Sequence, residues 1–192
     1  MKAILIINAF PSSEFLGWEM AERYALGAKL SGYSVELLHL YQLEFNPILK
    51  KGYKEIMPME PDLIKAQELI RNADHLVWFY PNWWATFPAI LKGFIDRVFL
   101  PDFAFKYRKD SLFWDKLLTN KSARIVVTMD TPPWYYNWIN GAPGHKTMKK
   151  GVLEFCGISP VRITSFGPVK TASNEKIQKW LNQVYELGKL AK

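Results

Sequence analysis

The sequence predicts an α/β fold, a doubly wound three-layer sandwich built on a five-stranded parallel sheet. Five apolar runs of strand length, at residues 3–8, 35–40, 75–80, 124–129 and 161–166, punctuate the chain. Each of the first four is followed by a loop leading into a helical pattern. The runs are nearly continuous in apolar residues rather than alternating, as in strands covered on both faces, and right-handed crossovers then place helices on both sides of the sheet.

Taken in order, Ile4, Leu5, Ile6 and Ile7 form the first strand. A single charge at Lys2 precedes them, Asn8 and Pro11 follow, and no small-residue cleavage site appears, so the segment reads as a strand and not as a secretory leader. Helical stripes recur at Leu16, Met20 and Tyr24, at Leu63, Ala66 and Ile70, at Ile90, Leu91, Phe94, Ile95 and Val98, and at Ile177, Leu181, Val184 and Leu187. Residues 50–61, with Gly52, Pro58 and Pro61, form the most loop-like interior stretch outside the candidate site. No repeat or linker divides the chain, so residues 1–192 are expected to form one domain.

Composition narrows the functional classes. With 49% hydrophobic, 15% aromatic and 22% charged residues the chain is not disordered. The apolar stretch 76–91 is broken by Pro81, Asn82 and Pro88 before it reaches the roughly 20 residues of a bilayer span, and a soluble, cytoplasmic protein without a membrane span is expected. The net charge of +7 is carried by short pairs such as Lys50-Lys51 and Lys149-Lys150 and not by blocks, which argues against nucleic acid as a partner. The one cysteine, Cys156, has no intrachain disulfide partner and sits in an apolar context. His39, His75 and His145 are scattered, so no metal site is expected.

In an open α/β sheet, ligands bind beyond the carboxyl ends of the strands, which singles out residues 8–15, 81–88 and 130–145. Ser12 and Ser13 stand where a helix begins and either join its free amides around a phosphate or act as an N-cap, a reading that Glu14 favours. Trp83, Trp84 and Phe87 crowd the second segment. They suit the walls of a flat conjugated ligand, with the amides of Trp84 and Ala85 at its polar edge, or else a satellite cluster or dimer contact. In the third, Tyr136 and His145 are the nearby candidates to pass a proton, and each has an alternative as a packed, structural ring. GxGxxG, Walker and GxSxG patterns are absent, and no nucleophile unit is apparent. A cleft rich in aromatics and poor in acid–base groups fits chemistry performed by a bound cofactor, and a flavin is the natural candidate.

The run Pro88-Ala89-Ile90-Leu91-Lys92-Gly93-Phe94-Ile95-Asp96-Arg97-Val98-Phe99, preceded by Tyr80-Pro81-Asn82-Trp83-Trp84, resembles the signature of the flavodoxin-like NAD(P)H:quinone oxidoreductases, the DT-diaphorase family. Supporting matches are Leu40-Tyr41-Gln42-Leu43-Glu44-Phe45-Asn46-Pro47, Phe103-Ala104-Phe105 and Leu153-Glu154-Phe155-Cys156-Gly157. The resemblance implies a flavodoxin-like sheet of order 2-1-3-4-5, noncovalent FMN or FAD, and a homodimer. It also implies ping-pong hydride transfer from NADPH or NADH to a quinone, azo or nitro compound. By position, Ser12, Ser13 and Phe15 would hold the phosphate end; Pro81, Asn82, Trp83, Trp84, Ala85 and Thr86 would line the flavin ring; and Thr128, Met129, Asp130 and Thr131 would close its other side. Tyr136 and His145 loosely match the proton-relaying pair of some relatives.

The chain departs from the pattern at Phe10, where the family often has His, and at Leu16, where it often has Asn. Met129-Asp130-Thr131-Pro132-Pro133 replaces a glycine-rich turn, and its prolines carry no amide N–H. Two other roles on the same fold are an electron carrier, for which +7 is the wrong sign, and a regulatory subunit with little catalysis.

Overall fold

The computed structural model describes residues 2–55 and 57–191. Its sheet comprises β1 (Ala3–Asn8), β2 (Ser34–His39), β3 (His75–Pro81), β6 (Ser122–Thr128) and β7 (Val161–Phe166), all parallel, in the order β2-β1-β3-β6-β7. This is the predicted 2-1-3-4-5 arrangement once a small outlying hairpin, β4 (Phe105–Tyr107) with β5 (Trp114–Lys116), is set aside. The chain belongs to β2 one residue earlier than expected, because Leu40 already opens a 3-10 turn. The fourth strand of the main sheet ends at Thr128, one residue early, although the Met129 amide still donates to the Phe166 carbonyl.

β3, the middle strand, is buried along its whole length, and its pleat sends neighbouring side chains to opposite faces. Trp78 and Tyr80 join a core layer with α2 (Pro61–Asn72) and α3 (Ala89–Val98), while Val77 and Phe79 join a second layer under α1 (Leu16–Leu30) and α7 (Asn174–Leu190). α1 and α7 meet through two glycines. A Cβ on Gly27 would lie 2.3 Å from the Tyr185 carbonyl oxygen, and one on Gly188 would lie 2.2 Å from that of Tyr24, so each helix accepts the other's backbone at close range.

Residues 130–145, expected as a loop, instead contain α4 (Pro133–Trp138) and α5 (Pro143–Lys146). The chain then runs through a π-helical stretch, Thr147–Leu153, into α6 (Glu154–Cys156). Proline stands at the first position of both α4 and α5, where its missing N–H costs nothing. Tyr136, Met148, Leu153 and Cys156 carry this segment onto the same core layer as α2 and α3. Within the stretch 50–61 expected as a loop, Pro58 and Glu60 are held by Arg97. This residue is 1% exposed and donates to the carbonyls of Asn46 and Pro58 and to both carboxylate oxygens of Glu60, while Glu60 also accepts from the Asn46 amide.

Candidate functional site

Three connections, after β1, β3 and β6, converge at the carboxyl end of the sheet, beside the point between β1 and β3 where the strand order reverses. After β1, the buried Asn8 accepts from the Phe10 amide at 3.1 Å, and its side-chain nitrogen lies 2.9 Å from Nδ1 of His39. The amide can only donate there, so this ring nitrogen is unprotonated, and burial keeps the His39 pKa below its ordinary value. Trp18 stacks on the same ring at 3.8 Å.

The N-cap reading of Ser12 and Ser13 is not realised at α1. Phe15 occupies the cap position in extended backbone without a side-chain cap. Among the described residues, the Leu16 and Gly17 amides make no hydrogen bond. Gly17 leaves room for the Phe10 ring, which comes within 2.0 Å of where a Cβ would stand.

After β3, the chain reverses in a two-residue turn. The Trp83 amide donates to the Thr86 carbonyl at 2.8 Å and the Thr86 amide to the Trp83 carbonyl at 2.9 Å. Trp84 and Ala85 between them both take positive φ, 52° and 61°, in a type of turn that favours Asn-Gly. Trp84 is 99% exposed, and among the described residues neither its amide nor that of Ala85 makes a hydrogen bond. The Asn82 amide donates to the Thr128 carbonyl and so joins this turn to the end of β6. There the Val169 amide reaches the Met129 carbonyl, and Asp130 accepts from the Lys170 amide.

Between these connections lies a cleft of about 170 Å³. Its lining includes seven of the residues singled out in the sequence, Phe15, Pro81, Asn82, Trp83, Thr128, Met129 and Asp130. Phe10 and Leu16, noted in the sequence only as departures, also face it, as do Gly17 and Val169, which sequence reasoning missed. Gly17 was legible only as the neighbour of Leu16, and no local signal marks Val169. Ser12, Ser13, Trp84, Ala85, Thr86 and Thr131 lie on the same three connections, outside that lining.

Tyr136 and His145 are brought together, but under the surface, at 1% and 6% exposure. Their rings meet edge to face at 4.8 Å. The Tyr136 hydroxyl donates to the Ala85 carbonyl at 2.9 Å and accepts from the Gly144 amide at 3.0 Å, and burial raises its pKa. Burial lowers the His145 pKa to about 4, and its Nε2 lies 3.3 Å from the Ser165 hydroxyl. Cys156 is buried as expected, its thiol pushed up to about 12 by desolvation. Among the described residues no cluster of acidic, His and Cys side chains could hold a metal, and no helix is long and apolar enough to cross a membrane.

Fold and cleft together define an α/β protein with an aromatic-lined cleft at its topological switch point. Residues 2–187 match the model of the flavodoxin-like fold family, and the chain belongs to that family. An uncharacterized NAD(P)H oxidoreductase of Haemophilus influenzae is 32% identical over 86% of this chain and 83% of its own length. NAD(P)H dehydrogenase [quinone] 1 of Cavia porcellus is 27% identical over 82% of this chain and 65% of its own length. Among solved structures, an FMN-dependent NADH-azoreductase from Bacillus anthracis in complex with FMN superimposes with a TM-score of 0.78 at 19% identity. It covers 100% of both chains and shares the fold.

Proposed function

We propose that the chain is an NAD(P)H oxidoreductase that holds a noncovalent flavin, FMN or FAD, in the cleft between β1, β3 and β6. The observation that carries this reading is a pair of backbone donor sets, the Leu16 and Gly17 amides and the Trp84 and Ala85 amides, beside a cleft walled by Phe15, Pro81, Trp83 and Met129. An uncapped helix start accepts an anion, and a turn with two free amides beside aromatic walls accepts the polar edge of a flat ring. The residues present therefore fit a flavin. Ser12, Ser13 and Phe15 would serve the phosphate end, residues 81–86 the ring, and residues 128–131 its other side. The names of the two relatives and the FMN held by the azoreductase support the same assignment.

Bound there, a flavin would supply two-electron hydride chemistry between NADPH or NADH and a quinone, azo or nitro acceptor, in ping-pong order. The chain's own residues bind and orient. Trp83 and Met129 exclude water from the cleft, and the accompanying proton is drawn from solvent, because the Tyr136 hydroxyl is committed to backbone and His145 is buried. The homodimer and the cytoplasmic setting implied by the sequence are retained in this proposal.

Visible spectroscopy tests it. The protein incubated with FMN or FAD and freed of excess should show two flavin bands that bleach on anaerobic addition of NADPH or NADH and return with a soluble quinone. A protein that stays colourless after both flavins refutes the reading.

A further inference from the structure

We infer that Tyr136 is a positioning residue for the turn over residues 83–86, fastening it in the one backbone shape that leaves the Trp84 and Ala85 amides free for a ligand. This rests on the flavin reading above. Two successive residues with side chains at φ 52° and 61° hold a conformation that L residues rarely adopt, and such geometry persists only where the surroundings over-determine it. The turn's two internal bonds, between Trp83 and Thr86, engage the N–H of the Ala85–Thr86 peptide but leave its carbonyl without a partner inside the turn.

That carbonyl is held from outside the turn. The Ala85 carbonyl accepts from the Tyr136 hydroxyl at 2.9 Å and from the Gly144 amide at 3.1 Å, and the same Gly144 amide lies 3.0 Å from the Tyr136 oxygen. Gly144 is required at this knot. A Cβ there would lie 2.9 Å from the Ala85 carbonyl oxygen, from the Thr86 Cα and from the Tyr136 hydroxyl. The ring that carries the hydroxyl is itself immobile, because it is buried, packed edge-on to His145 and set on a residue whose carbonyl accepts the Ala142 amide.

A hydroxyl that gives its proton to one carbonyl and accepts one amide has no proton free for a substrate. The sequence expectation that Tyr136 relays protons is therefore replaced by a role one step removed. Tyr136 acts through Ala85, and the turn acts on the ligand.

Tyr136→Phe keeps the ring and removes the bond. FMN affinity of the apoprotein, the midpoint potential of the bound FMN, and amide hydrogen exchange at Thr86 without FMN separate positioning from general stability. In Tyr136→Phe, FMN binding should weaken about tenfold or more, the potential should shift, and Thr86 exchange should quicken about tenfold. The neighbouring Tyr135→Phe, whose ring is half exposed, should leave all three unchanged. A purely structural role would lower the melting temperature without moving the potential. Wild-type affinity, potential and exchange in Tyr136→Phe overturn this role alone. Wild-type protein that takes up neither FMN nor FAD overturns the flavin reading and this role together.

Discussion

His75 and His145 are residues whose charge the fold forbids. Burial, reinforced at His75 by Lys2, Arg124 and Arg162, lowers their pKa values to about 3 and about 4. In the unfolded chain both titrate near 6.5. Between these values the unfolded chain binds more protons than the folded one, so the stabilisation is fully present above about pH 6.5 and is lost as pH falls toward 4. The urea midpoint should drop between pH 7 and pH 5, and His145→Gln should flatten part of that slope; a midpoint independent of pH over this range contradicts the assignment. The sequence offered a buried His145 only as the alternative to a proton relay, and placed His75 at the head of an apolar strand without marking its loss of charge. Pro81, Asn82, Trp83, Thr128, Met129 and Asp130 were legible as cleft residues because they end or closely follow strands, and Phe15 through the family resemblance at the start of the first helix. Val169 was not, because it reaches the cleft through a backbone bond to Met129 formed only when β6 and β7 pair.

Between elements, the crossing of α1 and α7 depends on the absence of two side chains. Gly188→Ala places a methyl group against the Tyr24 backbone, which cannot rotate away. The strain, roughly 1–3 kcal/mol for overpacking, exceeds the gain of about 1 kcal/mol that alanine brings to a helix interior. Gly188→Ala should therefore lower stability in urea unfolding. Gly151→Ala, with nothing within 4 Å of the new carbon, should leave stability equal or slightly raised. The main strands were readable because unbroken apolar runs admit few other structures. The three-residue strands β4 and β5 are too short for any period to declare itself. In 130–145, aromatic residues at Trp134, Tyr135, Tyr136 and Trp138 mask the helical period of α4, since only Tyr136 among them turns into the core.

Taken whole, the molecule is a sheet with two separate apolar layers, and a site at the edge where both layers end. Its net charge of +7 acts at this scale by drawing anions toward the surface before any contact forms. NADPH carries one more phosphate group than NADH. Raising the salt from about 10 mM to above the physiological range shortens the screening length from about 30 Å to under 8 Å. The apparent affinity for NADPH should then fall more steeply with salt than that for NADH; equal slopes would confine nicotinamide recognition to short-range contacts.

The exposed turn residue Trp84 has company. Of the eight tryptophans, Trp83, Trp84, Trp134 and Trp138 are exposed, and all four lie on the connections after β3 and β6, whereas Trp18 and Trp78 are buried. The indole emission most open to a dissolved quencher such as acrylamide therefore comes from two connections that border the cleft, with Trp83 in its lining, and that of Trp18 and Trp78 is shielded from it. The chain thus carries an intrinsic optical marker on the connections whose residues line the cleft.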